Sequence, residues 1–183
     1  MKPVLHIRQG SLRPAKPSDL QTLMHLLHGE GVRRYLCDDT FLPRDRVAEM
    51  LERSELLDAD GLGLWIIEHK VDGFAGIVGL EPVSAEVSVS PLMAGGVEPI
   101  IALAPRFEGA GLATDALAAV IDHARRTLRM KRLVAAVDEP NTRSHRLMQR
   151  AGFEQIGTAP GQSQKLVLYT LAPMSFGQEI AGS

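Results

Sequence analysis

Apolar positions in the first third of the chain recur at helical spacing, then switch to alternation. Leu20, Leu23, Met24 and Leu27 fall on one side of a 3.6-residue turn. They predict a helix with Ser18 as N-cap, Asp19 in the first turn and Gly29 or Gly31 as its end. A second helix is predicted over residues 44–56, where Val47, Met50, Leu51 and then Leu56 and Leu57 form one apolar side. Ahead of both, residues 1–16 read as a polar lead-in and a short strand, SLRPA, stopped by Pro14. The stretch between the helices reads as a loop holding Tyr35, Cys37, Asp38, Asp39 and Phe41.

Period two takes over in GLWIIEHK and GFAGIVGLEPV, an antiparallel pair whose turn is marked by Asp72-Gly73. AEVSVSPL is a weaker strand or a loop, punctuated by Gly95-Gly96. VEPIIALAP is a further strand, with Pro99 suggesting a bulge or an edge. RFEGAGLATDAL opens a long helix to about Leu128 that turns Leu117, Val120, Ile121 and Ala124 inward. A strand RLVAAV, a short helix NTRSHRLMQRAG ended by Gly152, and the strands FEQIG and KLVLYTL follow. The pattern predicts a mixed α/β (α+β) domain over residues 1–171 and a loose tail over 172–183.

The length, 183 residues, suits one domain. With 45% apolar and 23% charged residues, the chain should bury a real core. Its one cysteine, Cys37, leaves no partner for an internal disulfide, points to a reducing compartment, and reads as a small buried or half-buried side chain. A formal charge of -2 argues against nucleic-acid binding through a broad basic surface. No apolar run approaches the roughly 20 residues that cross a bilayer, and MKPVLHIRQG lacks the apolar core of a secretion signal. A cytoplasmic protein without a membrane partner is expected. His25, His28, His69, His123 and His145 are scattered, none at a metal-ligand spacing with Asp or Glu, so no metal is expected and most of them read as surface residues. Trp65 and Phe74, flanking the hairpin turn, read as core or interface.

The chemistry concentrates in two loops. Glu108-Gly109-Ala110-Gly111-Leu112-Ala113-Thr114 joins a strand end to a helix start. Small residues there let backbone approach a ligand, and first-turn amides lack intrahelical partners, so a pyrophosphate is a natural occupant. A tight turn without a ligand is the plain alternative. A dinucleotide reading takes GAGLAT as an altered GxGxxG with Asp138 on the ribose. Against it, Thr114 replaces the third glycine, four residues precede the first, and the unit lies in the second half of the chain. A P-loop fails for want of any Gly-Lys-Ser or Gly-Lys-Thr.

The order ALAPRFEGAGLATDAL, then RLVAAVDEPNTRSHRLMQRAGFEQIG, resembles the GNAT acetyltransferase superfamily, in its ribosomal-protein N-terminal acetyltransferase-like branch. The resemblance covers nearly the whole chain, including RPAKPSDLQTLMHLL and GVRRYLCDDTFLPRDRVAEML. It implies a central, mixed, mostly antiparallel twisted sheet of about six to seven strands, flanked by about four helices and splayed where acetyl-CoA binds. In the family a Gln/Arg-x-x-Gly-x-Gly/Ala loop wraps the pyrophosphate of coenzyme A. One register puts Glu108 at the Gln/Arg position, Gly111 at the glycine and Ala113 last; the other, two residues earlier, gives Arg106 that role. The later one agrees with the expected helix start. The implied cofactor contacts are Leu103, Ala104, Arg106, Gly109, Ala110, Gly111, Leu112, Ala113, Thr114, Asn141 and Ser144.

Asn141-Thr142-Arg143-Ser144 resembles the family's Asn-x-x-Ser, which places Asn141 near the pantetheine arm and Ser144 near the sulfur; a helix cap and a surface hydroxyl are the alternative. Acetyl transfer needs a neutral amine, a polarised carbonyl and a proton for the thiolate. A backbone N–H around Ala102 to Ala104 is the candidate for the carbonyl and Glu98 for the amine's proton. Ser144 is the acid by default, because Leu147-Met148 stands where relatives carry a tyrosine. The implied acceptor is a small-molecule amine or a protein N-terminus, bordered by Arg33, Arg34, Tyr35, Asp38 and Asp39, with a homodimer among the expectations. The alternative is a non-catalytic module that senses acetyl-CoA.

Overall fold

The computed structural model describes residues 1–86 and 88–171; the expected tail, residues 172–183, lies outside the described residues. The strands are β1 (Leu5–Ile7), β2 (Gly10–Pro14), β3 (Gly63–His69), β4 (Gly73–Pro82), β5 (Val97–Leu103), β6 (Leu133–Asp138), β7 (Glu154–Pro160) and β8 (Lys165–Leu171). The helices are α1 (Leu20–His28), α2 (Glu30–Leu36), α3 (Arg44–Leu56), α4 (Leu112–Asp122) and α5 (Thr142–Arg150). One eight-stranded sheet has the order β1-β2-β3-β4-β5-β6-β8-β7. Every pairing is antiparallel except β5 with β6.

Alternation along the strands sorts the core into two faces. Trp65, Ile67, Val78, Leu103, Ala135 and Val137 pack with Leu112, Leu117 and Val120 of α4 and Met148 of α5. Their neighbours Leu64, Ile66, Ile77 and Ala102 pack under Leu23, Leu27, Val47 and Leu51 of α1 and α3. The helices form because their apolar stripes have these faces to cover.

Two elements exceed the reading from sequence, bringing the strands among the described residues to eight and the α-helices to five. β1 lies in the stretch read as a polar lead-in and pairs with β2 from Leu5↔Leu12 to Ile7↔Gly10. Helix α2 occupies part of the stretch read as a loop; Gly29 ends α1 as expected, as its C-cap, and in the same extended conformation (φ -60, ψ 132) is the N-cap of α2. AEVSVSPL forms no strand among its described residues. Ser18 is not the N-cap: it sits in a 3-10 turn, Pro17–Asp19, and Asp19 accepts the Lys16 N–H at 2.8 Å instead. Arg13 decides this by holding both Asp19 oxygens, at 2.7 and 2.8 Å, while its Nε reaches Glu68. Leu56, counted on the apolar side of α3, is 81% exposed, because the helix gives way to a 3-10 turn at Leu57. His123 is buried, not surface: α4 widens into a π turn, His123–Thr127, and the imidazole bonds the Gly61 carbonyl against the edge of Trp65.

Pro99 marks no bulge; it marks an edge, an internal one, where β5 is unpaired with β6. The β4 ladder passes it in register, Leu80↔Pro99, without a shift. Ala104 N–H goes to Ala75 of the β4 side at 2.8 Å and Val97 N–H goes to Arg132 on the β6 side at 3.5 Å. Successive N–H groups of a strand point to opposite edges. Residue 99 therefore faces β6, where the absence of an N–H leaves the β4 ladder intact. The β5–β6 pairing is confined to Val97↔Leu133. Beyond that residue the sheet parts.

Candidate active site

The parting of β5 and β6 brings the two motif loops to one place, since α4 follows β5 and α5 follows β6. By the same parity, the N–H groups of Ile101 and Leu103 point into the gap, and among the described residues neither has an acceptor. The stretch expected to polarise a carbonyl, Ala102 to Ala104, thus contributes Leu103, because Ala104 is spent on Ala75 and Ala102 faces β4.

The glycine loop turns on Gly109 (φ 78) and Gly111 (φ 81), both left-handed. Gly111 is the N-cap of α4, the first helical bond runs from Asp115 N–H to Gly111, and no side chain caps the end. Among the described residues the N–H groups from Gly109 to Thr114 have no protein acceptor. Six free donors at the positive end of a helix of eleven residues form a seat for an anion. Helix α4 begins at Leu112, the start that the later loop register assumes. Gln9 of the β1–β2 turn braces the loop by donating to the Ala110 carbonyl and to Asp115. Arg106 is held elsewhere: its guanidinium donates to the carbonyls of Asp72 and Phe74 and lies over Phe107.

On the other side of the gap Asn141 caps α5, its Oδ1 accepting the Ser144 N–H at 3.2 Å. His145, beside Ser144, bridges the Tyr169 hydroxyl at 2.8 Å and the Glu139 carbonyl at 3.0 Å. The Tyr169 phenol is raised by burial. Arg143 is ion-paired with Glu108, so the two motif loops touch.

Glu98 lies in β5, its Oε1 accepting the N–H of Ala136 in β6 at 2.7 Å. Burial pushes its carboxyl up to about 7 and that hydrogen bond opposes the rise. Alternation puts Glu98, Ala136 and Asp138 on the face of α1 and α3, opposite the face of α4 and α5. On that face a cavity of about 380 Å³ is lined by Arg33, Tyr35, Asp38 and Asp39 with Ser163 and Gln164 of the β7–β8 turn. Asp38 (φ 48) and Asp39 (φ 57) are both left-handed, a strained arrangement for side-chain-bearing residues. Asp39 pairs with Arg33 at 2.9 Å, and Arg33 lies over Phe41. Burial first, and then the Asp38 charge, raises the Asp138 carboxyl. Among the described residues no group of three His, Cys, Asp or Glu side chains is placed to hold a metal ion.

The candidate residues thus fall into two sets. Leu103 faces α4, Gly109 to Thr114 head α4, and Asn141 and Ser144 head α5, while Glu98 lies on the opposite face; Arg106 joins neither set. Sequence reasoning missed Ser163, Gln164 and the Ala136 N–H. They come from turns and strands distant in the chain and carry no local signal.

The family model for the GNAT acetyltransferase domain matches residues 11–154. The chain belongs to the GNAT acetyltransferase family. Solved structures agree on the fold. A Bordetella pertussis protein assigned to that family superposes with a TM-score of 0.78 at 23% identity, over 93% of this chain and 100% of its own. RimL, a ribosomal-protein alpha-N-acetyltransferase in complex with coenzyme A, gives 0.75 at 17% identity, over 93% and 98%. A ribosomal-protein-alanine acetyltransferase from Vibrio fischeri gives 0.73 at 15% identity, over 96% and 100%. Family membership supports acetyl transfer and acetyl-CoA binding as the general activity of this GNAT protein. No helix among the described residues is long and apolar enough to cross a membrane.

Proposed function

We propose that this GNAT protein is an N-acetyltransferase that moves acetyl from acetyl-CoA to a primary amine by direct attack in a ternary complex. One observation carries the reading: six unpartnered amides, Gly109 to Thr114, stand at the head of a gap whose wall presents the free N–H groups of Ile101 and Leu103. The amides would seat the diphosphate, and the gap would take the pantetheine arm. The Leu103 N–H would polarise the thioester carbonyl, with Asn141 and Ser144 at the sulfur.

The amine nitrogen attacks the carbonyl carbon, the carbon–sulfur bond breaks, and the thiolate takes a proton from Ser144 or solvent. The proton lost by the amine passes to Glu98, directly or through water; near neutral pH a carboxyl at about 7 suits that task. The acceptor enters from the face opposite the cofactor, by the cavity that holds Tyr35, Asp38 and Asp39. A cationic amine suits Asp38, which has no ion-pair partner among the described residues. The RimL and Vibrio fischeri neighbours are acetyltransferases of ribosomal proteins. A protein N-terminus is therefore proposed ahead of a small-molecule amine. The resemblance adds a homodimer and a cytoplasmic location to the proposal.

The test is a thiol-release assay with acetyl-CoA over peptides with free N-termini and a panel of small amines. Release that depends on an acceptor supports the enzyme. Tight coenzyme A binding with no release over the whole panel would replace it by the sensing module.

A further inference from the structure

The gap itself requires an explanation, because two parallel strands that have begun to pair normally continue. In a parallel ladder the strand residue that faces its neighbour gives its N–H to one partner residue and its C=O to the residue two further on. Val97 gives its N–H to Arg132, so the next such residue on β5 is Pro99. Pro99 has no N–H to give, and half of the next ladder step is lost. The other half would be the Ala136 N–H donating to the Pro99 carbonyl. That donor is already taken, at 2.7 Å, by the side chain of Glu98.

We propose that Glu98 is a positioning residue as well as the candidate base: its carboxylate occupies the Ala136 N–H, stands between β5 and β6 where a backbone carbonyl would otherwise draw them together, and so holds open the channel for the cofactor's pantetheine arm. The dipeptide Glu98-Pro99 is then the device that parts the sheet, without the bulge that the β4–β5 register lacks. The inference rests on the coenzyme A reading for what fills the channel, but not for the spacing itself. Only Oε1 is committed; Oε2 has no partner among the described residues and remains open for the proton. Either protonation state offers an acceptor oxygen to Ala136, so the spacing survives titration of a group poised at about 7.

Two substitutions of nearly equal length separate acceptor from charge. Glu98→Gln keeps an acceptor oxygen for Ala136 and loses the base; Glu98→Met keeps the length and loses the acceptor. Glu98→Asp keeps the charge on a shorter arm and serves should Glu98→Met fold poorly by circular dichroism. Calorimetry with coenzyme A should give Glu98→Gln within about twofold of the parent Kd, and both Glu98→Met and Glu98→Asp weaker by about tenfold or more. Nuclear Overhauser spectra without ligand should show no cross-strand contact between the Ala136 N–H and Pro99 Hα in the parent and in Glu98→Gln, and should show it in Glu98→Asp and Glu98→Met, where the Pro99 carbonyl takes the freed N–H and the strands close. Parent-like affinity without that cross-strand contact in the Met and Asp variants would overturn the proposal, as would a Gln variant as impaired as the Met one. A parent that binds no coenzyme A sinks the reading of function, while the cross-strand contact still decides the spacer.

Discussion

Arg143, in the first turn of α5, is ion-paired with Glu108, the residue that enters the glycine loop before α4. The pair ties together the two segments proposed to hold the cofactor, and it is exposed, with side chains 76% and 35% accessible. Exposed pairs contribute at most about 1 kcal/mol, so a diphosphate can draw Arg143 away. Glu108 is meanwhile a like charge beside that anion. Glu108→Gln should therefore tighten coenzyme A binding, by about twofold to tenfold at low salt, and the gain should shrink as salt rises. Calorimetry at two ionic strengths measures it.

Gly111→Glu should abolish measurable coenzyme A binding. The residue is left-handed at φ 81, where a side chain is strained, and a side chain there, starting toward Arg8 and Gln9, would add a negative charge to the loop that offers the amides. Equilibrium dialysis reads the outcome, with circular dichroism to show that the fold persists. Unchanged affinity would remove the basis for the enzymatic assignment.

The rate should follow Glu98. Because its carboxyl titrates at about 7 in the fold, turnover at saturating substrate should rise with pH through about 7 and level above it. Glu98→Gln should flatten that limb and lower kcat by about 10² or more. Stability runs the other way. A carboxyl raised from 4.5 to about 7 binds its proton more tightly folded than unfolded. Its contribution is greatest below pH 4.5, falls as pH rises toward about 7, and is constant above. At about 1.4 kcal/mol per pKa unit the loss is on the order of 3 kcal/mol. Urea unfolding at pH 5 and pH 8 should show Glu98→Gln gaining on the parent by roughly that amount at the higher pH.

Asp19→Asn should destabilise by about 2 kcal/mol at pH 7, since it removes the charge that Arg13 grips with two hydrogen bonds in a site where Asp19 is 8% exposed. The Arg13 bonds, against burial, hold the Asp19 carboxyl below its ordinary 3.8. The stabilisation is thus present above pH 3.8 and is lost as pH falls through the folded value. Denaturant midpoints of parent and variant should converge in that acid range.

The periodic elements were legible because their signals are local. Leu20, Leu23 and Leu27 cover one side of α1 whatever lies beneath them, and Asp72-Gly73 marks the hairpin by its own backbone preference, although Gly73, at φ 72, pairs with His69 and the turn is the three residues Lys70 to Asp72, not two. Misreadings arose where a distant partner outweighed the local signal. Ser18 is as good a cap as Asp19 until Arg13 arrives from β2 and takes Asp19 with both terminal nitrogens. Gly29 and Gly31 weaken any helix over 30–36, yet α2 forms where Val32 and Leu36 pack beside the α1 and α3 core.

The same division runs through the site. The amino-acid order by itself determined the unpaired amides proposed to seat the diphosphate, because glycine conformation and unpaired first-turn amides are properties of a short segment. The tertiary structure alone decided which side of β5 faces the gap, that Arg106 is tied to the hairpin carbonyls, and that Glu98 meets the Ala136 N–H. Those outcomes depend on which strands lie side by side, and strand neighbours are chosen by the packing of two faces of a sheet, an energy that no single segment carries.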